Sequence, residues 1–246
     1  MSTRTHRNFT LIELLAVMLL MGVVLLMALP AFNRMFRGNK VEQMTSNLKL
    51  GLEQAQAEAV SSRRYVALVL PTKLSTWTDS SAKLTVYPFC YGGYRLAFVT
   101  KDSSDNWQFI RWVPSREWTN APNGAMLVDI RTSDPTEKEG DTITPSKPLS
   151  NTYGTSLFTL SNVRLSYYDA ATSAYKFETI SSVADCAIIF SPYGNMVNTS
   201  DLWLVVEEAI LSGSTVAYPV TTNWLMLGIN KFTGRVQYYP STETTE

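Results

Sequence analysis

Three patterns of apolar and polar residues follow one another along the chain. From Leu14 to Leu29 every residue is apolar apart from Gly22, and no charge occurs between Glu13 and Arg34. Phe9 to Leu29 as a helix would rise roughly 32 Å, close to the hydrocarbon thickness of a bilayer, so this run reads as membrane-spanning. Further on, Val41, Met44, Leu48, Leu52, Ala55 and Ala59 recur at spacings of three and four, while Glu42, Gln43, Lys49, Glu53 and Gln56 fall elsewhere on the helical wheel. That spacing predicts one amphipathic helix, ending near Ser61-Ser62. Pro30 and Gly22 predict a bend or local unwinding within the apolar part.

After Arg64 the pattern changes to short β-type runs. Tyr65 to Leu70, stopped by Pro71, is the first. Leu84 to Phe89, Tyr94 to Thr100, Trp107 to Val113, Met126 to Arg131, Val163 to Tyr168, Ala187 to Phe190, Leu202 to Glu207, Trp224 to Ile229 and Arg235 to Tyr239 follow. Two of the intervals predict hairpin turns: Asp102 to Asn106, and Lys231-Phe232-Thr233-Gly234. Thr132 to Thr152, rich in Thr, Pro, Ser and charge, predicts an exposed loop. The expected organisation is therefore a leader at 1–8, an N-terminal helix at 9–62 with its transmembrane part at about 9–29, a β-rich head at 63–240 and a tail at 241–246.

Composition narrows the function more than it defines it. Twenty-one Lys and Arg balance twenty-one Asp and Glu, so no global field draws nucleic acid or an anionic surface to the protein. His6 is the only histidine and lies in the expected leader, which removes the Ser-His-Asp and Cys-His arrangements and most imidazole zinc sites. Cys90 and Cys186 are the only cysteines; outside the cytoplasm they could join in a disulfide, and the alternative is two buried thiols.

Glu13 is the residue that separates readings of the first segment. A carboxylate inside an apolar run costs on the order of 2.5–3.5 kcal/mol at mid-bilayer and helps neither a plain anchor nor an export signal, so it implies a specific partner. A secretory signal would also want small residues at its cleavage site, whereas this segment ends Ala28-Leu29-Pro30-Ala31.

Arg7-Asn8-Phe9-Thr10-Leu11-Ile12-Glu13-Leu14-Leu15, with Gly22 and Pro30 in register behind it, resembles the prepilin cleavage and methylation motif of type IV pilin-like proteins. Leu48 to Val60 followed by Tyr65-Val66-Ala67-Leu68 is similar to the H-type minor pseudopilins, the GspH/FimT group. Ser191-Pro192-Tyr193-Gly194-Asn195 and Ile229 to Val236 resemble the closing strands of those heads. The family normally has Gly just before the cut, where this chain has Asn8.

The resemblance implies an α+β, pilin-like fold with one long helix packed on a β-rich head. It implies cleavage after Asn8 by a prepilin peptidase and methylation of the new amine of Phe9. Glu13 would pair with that amine on a neighbouring subunit. It also implies a single-pass location in a bacterial inner membrane, N-terminus cytoplasmic and head outside, before entry into a filament. The implied partners are the peptidase, an inner-membrane assembly platform, an assembly ATPase and other pilin-like subunits, in a type II secretion or type IV pilus assembly. No cofactor, small-molecule substrate or chemistry of its own is expected.

Other sites are weaker. Asp134, Glu137, Glu139 and Asp141 place four carboxylates within one polar stretch, a density that could hold calcium, but at no EF-hand spacing. Arg63-Arg64 and Arg111 to Arg116 are too scattered for a nucleic-acid patch. The competing reading is a membrane-anchored or secreted β domain that binds carbohydrate or acts as a hydrolase through paired carboxylates.

Overall fold

The computed structural model describes residues 11–72, 77, 80–132, 157–212, 215–217 and 224–239, with the side chains of 27–39 and 212–216 left outside the description. The chain divides into two compact units, Met1–Asn39 and Lys40–Glu246. Helix α1 is assigned over Leu11–Ser62.

In the second unit, α1 supplies the apolar stripe expected from its spacing. Val41, Met44, Leu48, Leu52, Ala55 and Ala59 are each 1% exposed or less. At roughly 1.5–3 kcal/mol for each large apolar side chain removed from water, this stripe is a principal anchor of the helix. Thr45, on the same stripe, is buried without penalty because its hydroxyl donates to the Val41 carbonyl at 2.7 Å.

The strands are β1 (Tyr65–Val69), β2 (Arg95–Lys101), β3 (Trp107–Trp112), β4 (Met126–Arg131), β5 (Phe158–Asp169), β6 (Ala174–Phe190), β7 (Leu202–Glu207), β8 (Ile210–Ser212), β9 (Thr215–Ala217), β10 (Trp224–Ile229) and β11 (Val236–Tyr239). Five of them close into a barrel in the order β1-β2-β3-β5-β6. The closure includes one parallel contact, β3 to β5 at Gln108 and Ser161. A separate sheet has the order β11-β10-β7-β4, and β8 pairs with β9.

Side-chain alternation explains why so many runs are apolar at every position. In β1, Val66 and Leu68 join the core that contains α1, while Ala67 and Val69 join the core lined by β3 and β5. In β6, Ile188 and Phe190 take the first side and Ala187 and Ile189 the second. In β7, Leu202, Leu204 and Val206 pack with the α1 core, and Trp203 and Val205 pack with Val128 and Met226 on the opposite face. A strand covered on both faces reads as a continuous hydrophobic run.

Three expectations are corrected. The α+β, pilin-like fold, one long helix packed as a single element on a β-rich head, does not hold: strands dominate, five of them form a closed barrel, and α1 belongs to two separate units. The single-pass, inner-membrane location also fails. Among the described residues no helix is long and apolar enough to cross a membrane. Finally, Leu84 to Phe89 is no strand. It holds the end of a short helix, α2 (Ser81–Leu84), and a 3-10 turn at Tyr87–Phe89 with Pro88 at its start.

Candidate functional site

The residues singled out in the first segment fall differently with respect to the structure. Asn8 and Phe9 lie outside the described residues. Glu13 sits in the first turn of α1 and is exposed. Gly22 lies in the helix, and a Cβ built on it would meet nothing within 4 Å. Pro30 also lies within α1, its side chain outside the description.

From Leu14 to Leu26 the described surface beyond Glu13 is apolar. Every large hydrophobic side chain from Leu11 to Leu26 is between 44% and 83% exposed. Isolated apolar residues on a surface need no explanation, but a contiguous patch of this kind marks an interaction site.

A second constellation joins α1 to two turns far apart in sequence. The Gln56 amide donates to the Gly194 carbonyl at 2.7 Å and to the Thr233 carbonyl at 2.8 Å. Gly194 and Gly234 have φ of +86° and +66°, in the left-handed region. A Cβ on Gly234 would come 2.3 Å from the Gly194 carbonyl oxygen, so only glycine lets the two turns meet there. The Asn230 side chain accepts from the Phe232 and Thr233 amides at 3.1 and 3.0 Å and shapes one turn. Asp201 accepts from the Lys231 amide at 2.6 Å and ties that turn to the start of β7. The expected turn at Lys231 to Gly234 is therefore present and packed beside Ser191 to Asn195. Tyr193 and Phe232 stand at the tips, 92% and 79% exposed.

A third feature is a buried acid. Glu207 closes β7 opposite Met126 of β4 and Trp224 of β10. It is 0% exposed, and among the described residues neither carboxylate oxygen has a hydrogen-bond partner. Burial pushes its carboxyl up to about 7. The indole nitrogen of Trp203, four residues earlier, is likewise buried with no partner among the described residues.

The remaining candidates are the two cysteines, the carboxylates of the polar stretch and one open cleft. Cys90 and Cys186 are both buried free thiols rather than a disulfide, and burial pushes each to about 12, far from a reactive thiolate. Asp134, Glu137, Glu139 and Asp141 lie outside the described residues. Among the described residues no three His, Cys, Asp or Glu gather into a metal site. An open cleft of about 270 Å³ is lined by Tyr94, Arg95, Arg116, Glu117 and Trp118, with Arg95 and Glu117 paired at 2.9 Å.

Neither Gln56 nor Glu207 was legible as special in the sequence. Gln56 is one polar residue among several on the exposed side of a helix. Glu207 looks like the polar end of an apolar strand.

Comparison with known proteins gives little beyond this. The chain matches no family model and no curated protein. It is similar to a solved structure, the type IV minor pilin FimU of Pseudomonas aeruginosa strain PAO1, with 12% identity and a TM-score of 0.38. The match covers 83% of this chain and 92% of that one. At that score the likeness carries no argument of its own.

Proposed function

We propose that the chain is a structural subunit of the type IV pilin-like class, one that enters a filament by bundling its apolar N-terminal segment with those of other subunits. The observation that carries this reading is the stretch Leu11 to Leu26, apolar throughout except for Glu13 and Gly22, with its large side chains open to the surroundings in the single chain. Burying such a helix against like helices removes that surface from water at about 25 cal/mol per Å².

Within this reading Glu13 sets the axial register. Cleavage after Asn8 creates an ammonium on Phe9, and a neighbouring subunit's Glu13 neutralises it once the helices stack with an offset. The attraction is largest where water is excluded, and a mismatched register leaves a buried charge alone, at about 3–5 kcal/mol. The finer assignment is to the H-type minor pseudopilins, the GspH/FimT group, in a type II secretion or type IV pilus system. It rests on Leu48 to Leu68 and on the two turns at Ser191 to Asn195 and Ile229 to Val236. A prepilin peptidase and an assembly platform are the partners this assignment requires.

The test is the N-terminus of the protein from cells with and without the peptidase, read by mass spectrometry. Loss of eight residues and an N-methylated Phe9, both dependent on the peptidase, is the expected result. An intact Met1 in both strains, or a cut near Ala31, overturns it.

A further inference from the structure

The hairpin of β5 and β6 is longer than the barrel needs. Its registered pairs continue from Arg164 and Thr179 out to Asp169 and Ala174. On one face of this extension Tyr168 opposes Tyr175 with ring centroids 5.5 Å apart, and the Arg164 guanidinium lies 4.3 Å from the Phe177 ring centre. Tyr168, Tyr175 and Phe177 are 55%, 76% and 61% exposed. On the other face Leu165 is buried, Tyr167 packs against the barrel core, and Lys176 forms an ion pair with Asp169.

The two edges of the extension differ. That of β5 is occupied: the Trp112 indole donates to the Arg164 carbonyl at 2.8 Å, and α2 packs against the strand. On the outer edge of β6, pairing with β1 covers Ala187 to Phe190, and the Cys186 carbonyl accepts from the Leu70 amide. The Asp185 carbonyl accepts from the Thr72 hydroxyl at 2.8 Å; among the described residues no strand pairs with that edge before Cys186, and Ala174 to Phe177 are all exposed. An open backbone edge beside a stripe of exposed side chains at every second position suits an added strand, whose main chain would satisfy the edge while its side chains meet the stripe.

The order of charges along that edge identifies the strand. Tyr175-Lys176-Phe177-Glu178-Thr179 is reversed in charge about Phe177. A lone lysine on an edge usually guards against pairing. Here a glutamate two residues on makes the edge complementary to itself. We propose that β6 of one chain adds antiparallel to β6 of a second copy, about a two-fold axis at Phe177, so that Lys176 of each faces Glu178 of the other. A two-fold contact makes this pairing twice. Shifting the axis by one residue sets Lys176 against Lys176 or Glu178 against Glu178, so the register is specified by repulsion on either side. The inference uses only the head and is independent of the filament reading.

Cysteine cross-linking of the full-length chain tests it. Phe177→Cys places a thiol on the axis, directly opposite its copy, whereas Tyr175→Cys places one well off it. Under copper phenanthroline two such thiols form a disulfide, giving one electron to each of two copper(II) ions and two protons to the buffer. The expected yield of covalent dimer is about tenfold higher for Phe177→Cys than for Tyr175→Cys. Adding Lys176→Glu to Phe177→Cys should lower the yield about tenfold, and adding Glu178→Lys as well should restore it. Because Lys176→Glu also breaks the pair with Asp169, Glu178→Lys with Phe177→Cys serves as a second arm; it leaves that pair intact and should show the same loss. Equal yields at 175 and 177, or no restoration by the double reversal, would overturn the proposal.

Discussion

At the scale of single residues, the physical chemistry of three positions makes separate, checkable demands. Glu207 has a folded-state pKa of about 7 against an ordinary 4.5. A raised carboxyl favours the protonated folded state, so its stabilising effect is complete below about pH 4.5, falls as pH rises toward 7, and is lost above it. Glu207→Gln should flatten that slope and raise stability at pH 8 by up to about 3 kcal/mol while leaving pH 4 nearly unchanged, as read by urea denaturation at the two pH values. Gly51 shows two effects in competition. Alanine in a helix gains about 1 kcal/mol over glycine, but a Cβ at Gly51 would lie 2.5 Å from the Tyr94 ring, whose hydroxyl is held by the Asn47 carbonyl at 2.9 Å. Overpacking costs about 1–3 kcal/mol, so Gly51→Ala should lower the thermal midpoint rather than raise it. Gln56→Ala removes two hydrogen bonds and should cost about 1–2 kcal/mol, measured by the same denaturation.

At the scale of elements, what the sequence disclosed depended on burial. The stripe Val41 to Ala59 and the strands Leu202–Glu207 and Trp224–Ile229 were legible because each presents apolar residues in a pattern that its own backbone geometry buries. Leu84 to Phe89 misled because its β-type side chains outweighed Pro88, which cannot donate to a sheet ladder and here opens a 3-10 turn. Ala174 to Cys186 went unread as strand for the opposite reason: the outer hairpin alternates Tyr, Lys, Phe and Glu and leaves its aromatic face exposed, so no hydrophobic face announced it. Closure of the barrel was out of reach altogether, since the parallel contact at Gln108 and Ser161 joins residues with no local pattern between them. The Gln56 clamp was hidden likewise: the two turns were each visible, but their meeting is a property of the folded chain.

For the whole molecule, the separate units carry separate tasks. Lys40–Glu246 holds the cores that fold the head, while in the other unit the large apolar side chains from Leu11 to Leu26 are exposed, the surface that the proposed assembly would cover. On this account assembly is selected by a carboxylate and an amine rather than by hydrophobicity alone, because any apolar helix would offer the latter. The direct measurement is recovery of the chain in filaments sheared from cells carrying Glu13→Ala, with total protein held equal. Losing one partner of a buried charge pair costs about 3–5 kcal/mol, so incorporation should fall at least tenfold while the head keeps its denaturation midpoint. Incorporation at the level of the unaltered chain would contradict the account.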